Sequence, residues 1–335
     1  MSEIINDPLI VVEDLYKSYK ILKKSPGTWG AIKSLFSAQY NIVEAVKGIS
    51  FEVNKGELVG YVGPNGAGKS TTIKMMSGIL YPTSGSINVG NLQPFRNKNR
   101  YAMNLGVMFG QRTQLWWDLP VSESFDLLRT IYKIESKTYN ENLDYFSDIL
   151  GIKEFWGQPV RRLSLGQRVR ADLAASLIHD PEVLFLDEPT IGLDVLAREK
   201  FRELIKKVNR EKKTTILITS HDLGDIENIA NRLILIDQGS VVYDGDLKRF
   251  VRTHSYHSRL VITFHKRTVL KTLPRGVELV EKRGDLFEFE LDHRIVSYQD
   301  LLAKISKWGE IKDMHMHTAS LEKVLMQMYR NSSVK

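Results

Sequence analysis

The 335-residue chain contains no cysteine. Disulfides and thiolate-held metals are therefore excluded, and the absence fits a reducing compartment. Nor does any apolar run reach the roughly 18 residues that a membrane-spanning helix needs. The opening MSEIINDPLIVVEDL carries acidic groups and no basic segment ahead of an apolar stretch, so it is expected not to be a secretory signal. What is present is ordinary for a globular protein: 42% hydrophobic and 26% charged residues, enough for the cores of two domains. The net charge of +7 leaves two kinds of partner open, nucleic acid or the anionic inner face of a membrane.

Two stretches point to phosphate. Gly63-Pro64-Asn65-Gly66-Ala67-Gly68-Lys69-Ser70 fits the pattern G-x-x-x-x-G-K-[ST], and Thr71 follows it. Glu57–Val62 reads as a buried strand and Ser70–Met76 as a helix, which is the strand–loop–helix setting the pattern requires. The glycines free backbone N–H groups to wrap phosphates. Lys69 supplies a point charge to the β and γ oxygens, and Ser70 can ligate Mg2+. About a hundred residues later, Leu163-Ser164-Leu165-Gly166-Gln167 follows the basic pair Arg161–Arg162 and opens a second helical run, Arg168–Ile178. Ser164 can cap that helix and Gly166 lets something approach its backbone, so this helix mouth can also hold an anion.

Pro181–Glu188 supplies a complement to the phosphate loop. Its apolar residues predict a strand buried on both faces, as in a parallel sheet. It ends in two adjacent carboxylates, which strand alternation points in different directions. Asp187 is expected to hold Mg2+ through water, and Glu188 to polarise an attacking water.

The ordered string Gly63–Ser70, Gln111, Leu163–Gln167, Leu184–Glu188, Ile191-Gly-Leu-Asp194 and His221 resembles the nucleotide-binding subunits of ABC (ATP-binding cassette) transporters, over about residues 9–245. Leu165 departs from the family's usual second signature glycine, while Ser164 and Gly166 are in place. The resemblance implies an α/β phosphate-loop cassette, a parallel-core sheet with a helical subdomain, that binds ATP and Mg2+. It further implies that two copies pack head to tail, so that Ser164, Gly166 and Gln167 of one copy hold the γ-phosphate bound by the other. By the same resemblance Gln111 contacts Mg2+ and the water and signals to the membrane subunit. His221 then reaches the γ-phosphate, Asp194 sits at the dimer seam, and Tyr19 or its competitor Tyr16 stacks on adenine.

Helical stretches near 122–133 and 140–150 are expected to carry the signature. Trp116 and Trp117 read either as packing residues of that subdomain or as an aromatic contact with a permease. The chain divides into a cassette over 1–250 and an accessory domain over 251–335. In the latter the order β-α-β-β-α-β, with a helix at Thr268–Leu273 and an appended Leu321–Tyr329 helix, predicts a small α+β, ferredoxin-like domain. Arg283-Gly-Asp285 reads as a hairpin turn and Met314–His317 as a strand. Its Ser320–Met326 ending is similar to the tail of drug-exporter ATPases.

Between Tyr19 and Val43 lies an insertion of about twenty residues beyond the family's core, with a helix expected near 21–42. Thr28 can cap it, and Trp29, Ile32, Leu35 and Phe36 fall on one face. That face either folds back on the cassette or meets a permease and membrane. The leading expectation is a cytoplasmic-face ATPase subunit of a membrane exporter with separately encoded permease chains. The alternative is a soluble cassette ATPase acting on nucleic acid or ribosomes, whose usual long coiled coils, zinc cysteines or second cassette are missing here.

Overall fold

The computed structural model describes residues 8–22, 40–110, 112–254, 257–266, 268, 272–317 and 320–332. Gln111 and residues 23–39 of the helix expected near 21–42 lie outside the described residues, and the ends of that expected helix, 21–22 and 40–42, are strand instead. Two compact units result, Met1–Gly245 and Asp246–Lys335, so the division falls slightly ahead of the 250/251 boundary read from the sequence.

Within the first unit, six strands form a sheet in the order β5-β6-β7-β3-β8-β9. They are β3 (Leu58–Val62), β5 (Leu105–Phe109), β6 (Val183–Asp187), β7 (Thr215–Thr219), β8 (Arg232–Asp237) and β9 (Ser240–Asp246). The five from β5 to β8 in that order are paired in parallel. Every residue of β3, β6 and β7 is buried, which is why these strands read as continuous apolar runs without alternation. A parallel sheet also gathers its strand ends on one edge, the usual place for a ligand crevice.

A second, antiparallel sheet has the order β2-β1-β4, from β1 (Pro8–Leu22), β2 (Tyr40–Asn54) and β4 (Ser84–Val89). Its inward residues, among them Ile10, Val12, Val53 and Ile87, join Tyr61, Ile73, Phe185 and Leu217 in one core. Pairing with β4 stops at Tyr16↔Ser84, whereas β1 and β2 remain paired out to Leu22↔Tyr40. The outer part is therefore a two-stranded ribbon with Ile21, Tyr40 and Ile42 exposed.

Helices α1 (Lys69–Met76) and α2 (Lys98–Met103) accompany the sheets. The helical subdomain contains α3 (Val121–Ile131), α4 (Ser136–Leu150) and α5 (Leu165–Leu177). Helix α4 stops where Gly151 takes a left-handed φ of 60° and its N–H closes on the Ser147 carbonyl, a conformation glycine adopts without strain. Helices α6 (Val195–Lys212) and α7 (Leu223–Ile229) complete this unit.

In the second unit, α8 (Leu247–His254) precedes a four-stranded antiparallel sheet of order β11-β12-β10-β13. The strands are β10 (His257–Phe264), β11 (Val277–Arg283), β12 (Leu286–Asp292) and β13 (Ile311–His317). Because β12 pairs antiparallel to both β10 and β11, those two run in the same direction on either side of it. This strand arrangement is that of the ferredoxin-like order. Leu260, Ile262, Phe287 and Phe289 share a core with Leu301 and Ile305 of α9 (Tyr298–Ile305). Helix α10 (Leu321–Ser332) follows. Half of the helix expected over Thr268–Leu273, residues 269–271, lies outside the described residues; Thr268, Thr272 and Leu273 belong to no regular element. Gly284, with φ 60°, makes Arg283–Asp285 a hairpin turn, and Met314–His317 lies within β13. Among the described residues no helix is long and apolar enough to cross a membrane.

Candidate active site

The phosphate loop leaves β3 and enters α1 through backbone that only glycine tolerates. Gly66 and Gly68 have φ of 84° and 104°. A Cβ on Gly68 would also lie 2.5 Å from the Ala45 carbonyl oxygen, and one on Gly63 would lie 2.2 Å from that of Ile236. The loop is thus wedged between neighbouring strands, whereas the space beside Gly66 is open. Pro64 is half-buried, Asn65 exposed and Ala67 buried, so the loop's outer rim is polar backbone and Asn65. Lys69 folds back over it, its Nζ donating to the carbonyls of Gly63 at 2.8 Å and Pro64 at 3.1 Å. Burial lowers the pKa of this ammonium, and the charges of Glu188 and Asp187 oppose that shift. Ser70 follows on the first turn of α1, with Thr71 half-buried beside it.

Strand β6 brings its acids to this loop. Ser70 Oγ donates to Asp187 Oδ1 at 3.0 Å, and Thr219 Oγ1 at the end of β7 donates to the same oxygen at 2.8 Å. The Glu188 N–H donates to that threonine hydroxyl at 3.0 Å. Glu188 itself has φ 55°, so a left-handed turn off the strand, and not simple alternation, sends its carboxylate elsewhere than Asp187. There Oε2 accepts the His221 N–H at 2.7 Å, while Oε1 has no hydrogen-bond donor and lies 3.4 Å from His221 Nε2. Burial pushes the Glu188 carboxyl above the usual range; His221 and Lys69 pull it back, and Asp187 adds to the rise. The His221 side chain is about half exposed, 52%.

Two residues that sequence reasoning passed over complete this corner. Thr219 joins both acids through one hydroxyl. Gly110 admits no side chain, because a Cβ would stand 1.9 Å from the Glu188 carbonyl oxygen, and its N–H donates to the Asp187 carbonyl at 2.8 Å. Their signals were present: a threonine ending the apolar run of β7, and a glycine just ahead of Gln111.

At the second helix mouth read from the sequence, Ser164 is the N-cap of α5 and forms a full capping box with Gln167. The Gln167 N–H donates to Ser164 Oγ at 3.2 Å, and the Ser164 N–H donates to Gln167 Oε1 at 2.9 Å. That arrangement leaves the Leu165 and Gly166 N–H groups at the positive end of the helix, with open space beside Gly166. Exposed Asp194 caps α6 by accepting the Ala197 N–H at 2.9 Å. Tyr16 lies across Gly48 on the adjacent strand, its hydroxyl 2.7 Å from where a Cβ would be. Tyr19 stands exposed opposite Val43, with the Lys17 ammonium 5.3 Å from its ring centre. Trp116 and Trp117 are also exposed, and the Arg168 guanidinium lies 5.6 Å from the Trp117 ring.

The Ser70 hydroxyl and Asp187 carboxylate are adjacent hard-oxygen donors beside a phosphate loop. This donor set fits Mg2+, which keeps several waters and shares its ligands with substrate phosphates. Sheet, loop and strand-end acids together define a nucleotide-binding protein of the phosphate-loop class.

The comparisons narrow the class to a family. The model for the ABC transporter family matches residues 46–191. The chain is 32% identical over 213 residues to the ABC transporter ATP-binding protein NatA of Bacillus subtilis, covering 64% of this chain and 86% of NatA. It is 31% identical over 301 residues to the Nod factor export ATP-binding protein I of Ralstonia nicotianae, covering 87% and 90% of the two chains. A dimeric, post-hydrolysis ATP-binding cassette bound to ADP and Pi has the same fold, with a TM-score of 0.59 at 24% identity over 71% of this chain and 98% of that one. The chain belongs to the ATP-binding proteins of ABC transporters.

Proposed function

We propose that the chain is the ATP-hydrolysing subunit of a membrane exporter, working as a head-to-tail pair of copies bound to separately encoded permease subunits at the cytoplasmic face. One observation carries the reading: the Ser70 and Thr219 hydroxyls converge on Asp187, with Glu188 and His221 immediately beside them.

In this reading the backbone from Gly63 to Thr71 wraps the phosphates, and Lys69 adds positive charge over the loop. Ser70 and Gln111, with Asp187 through water, would hold Mg2+, which would neutralise charge on the nucleotide's phosphates. Glu188 takes a proton from the attacking water through Oε1, which accepts no hydrogen bond, and His221 beside it orients the γ-phosphate. Tyr19 forms the adenine platform, since Tyr16 is already engaged on Gly48. Ser164, Gly166 and Gln167 complete the other copy's site: the Ser164 hydroxyl keeps its proton to donate, and two helix N–H groups have no intrahelical acceptor. Asp194 lies at the seam. Export is favoured by the Nod factor relative, whose match extends beyond the cassette, and the exposed Trp116–Trp117 pair suits a permease contact.

The test is Glu188→Gln. The amide retains the shape and still accepts the His221 N–H, but it cannot take the proton, so turnover should fall by about 10²–10⁴-fold. ATP binding should persist, and size-exclusion chromatography should show an ATP-bound dimer accumulating. Hydrolysis near the wild-type rate would mean that the base lies elsewhere.

A further inference from the structure

Helix α5 carries a carboxylate that the hydrolysis reading does not use. Asp172 is 5% exposed, and the residues around it in the helix, Ala171, Leu173, Ala174 and Ala175, are fully buried. A carboxylate inside such a helix is costly unless donors reach it. Among the described residues they come from one segment. Thr113 Oγ1 donates to Asp172 Oδ1 at 2.7 Å and the Gln114 N–H donates to the same oxygen at 3.1 Å. Gln114 Nε2 donates to the Asp172 main-chain carbonyl at 2.8 Å, and the Leu115 N–H donates to Thr113 Oγ1 at 3.1 Å. Burial pushes the Asp172 carboxyl up to about 6, against the pull of these donors and of Arg168 one turn earlier.

The near end of the same segment is fixed at the catalytic strand. Gly110 donates its N–H to the Asp187 carbonyl at 2.8 Å and presses on the Glu188 carbonyl so closely that no side chain fits. Five residues thus connect the acids of β6 to the helix whose N-terminus is Ser164. We propose that Asp172 is a positioning residue, a latch that fastens the Thr113–Gln114 segment to the signature helix so that events at Asp187 and Glu188 move the Ser164–Gln167 terminus. The latch acts through other residues and touches no nucleotide. It rests on the hydrolysis reading above.

The experiment is a double-mutant cycle of Asp172→Ala and Thr113→Val in the full chain, with Asp172→Asn alongside. ATP turnover, affinity for a fluorescent ATP analogue and the unfolding midpoint are measured for each. Misplacing a group that completes a site costs up to about 100-fold, so each single change is expected to lower kcat roughly 10-fold or more. Nucleotide affinity should stay within about twofold, because binding at the phosphate loop does not use the latch. The double variant should be little worse than the poorer single one, since both break the same contact. Asp172→Asn should recover most of the turnover, as its amide oxygen still accepts both donors. If Asp172→Ala does not fold, Thr113→Val and Asp172→Asn decide the matter. Losses that add independently, an Asn variant as poor as Ala, or unchanged kcat in Thr113→Val would overturn the latch. Turnover that survives Glu188→Gln overturns the hydrolysis reading instead.

Discussion

Glu188 occupies a left-handed backbone conformation with φ 55°, which costs a residue with a side chain about 1–3 kcal/mol. Three contacts fix it there: its N–H on Thr219, its carboxylate on the His221 N–H, and Gly110 against its carbonyl. Strain of this kind places a carboxylate where an extended strand would not. The same burial raises its pKa, with a consequence for pH. The base form is lost as pH falls through that raised value. The acid limb of kcat should therefore lie above the range near 4.3 where a solvated glutamate protonates. Folding responds with the opposite sign, because a carboxyl that holds its proton more tightly in the folded state contributes stability in acid that is lost as pH rises. Steady-state rates between pH 4 and 8 check the first statement, and an acid limb at the ordinary glutamate position would contradict it.

Helix α5 divides its tasks between its N-terminus and its interior. Its N-terminus is capped by its own side chains, and its interior is tied through Asp172 to the segment after Gln111. A helix mouth with two free N–H groups and open space at Gly166 suits a phosphate delivered by another molecule. The absence of native cysteine allows a clean check. Chains carrying Asn65→Cys alone and Gly166→Cys alone are mixed, chains bearing both substitutions are prepared alongside, and all are oxidised with and without ATP and run on a non-reducing gel. A covalent dimer is expected in the mixture with ATP, and neither single variant should form it. If crosslinking occurs only within chains bearing both substitutions, the signature serves its own phosphate loop and the head-to-tail arrangement is wrong.

For the whole molecule, the insertion between β1 and β2 is the most individual feature. The flanking ribbon exposes Ile21, Tyr40 and Ile42, and an isolated pair of strands is marginally stable at best in water. The spacing of Trp29, Ile32, Leu35 and Phe36 between them predicts one helical face, and Lys23 and Lys24 stand just ahead in the sequence. Aromatic residues with basic neighbours suit a membrane interface. Trp29→Ala combined with Phe36→Ala is therefore expected to weaken co-purification with the permease, or transport, while the isolated subunit keeps its unfolding midpoint and ATP affinity. Unfolding or loss of ATP binding would assign the segment to the cassette core.

The phosphate loop, the strand ending in Asp187 and the helix cap at Ser164 were legible in the sequence because each depends on local chemistry, whereas His221 was singled out only by the resemblance to a family. Glycines meet positive φ, apolar runs make doubly buried strands, and a serine three residues ahead of a glutamine makes a capping box. The four strands of the second unit could be read for the same reason, from alternation and a glycine turn. Contacts between residues far apart in sequence could not be read this way. Nothing near Thr219 says that its hydroxyl joins two acids 31 and 32 residues away, and nothing near Asp172 names Thr113, 59 residues earlier, as its donor. Strand order decides the first pairing, since β6 and β7 are neighbours in the sheet, and the packing of the segment after β5 against α5 decides the second. Sequence determined which residues can do the chemistry; tertiary structure decided which share a hydrogen bond, because hydrogen bonds act over about 3 Å and only the folded chain brings distant residues that close.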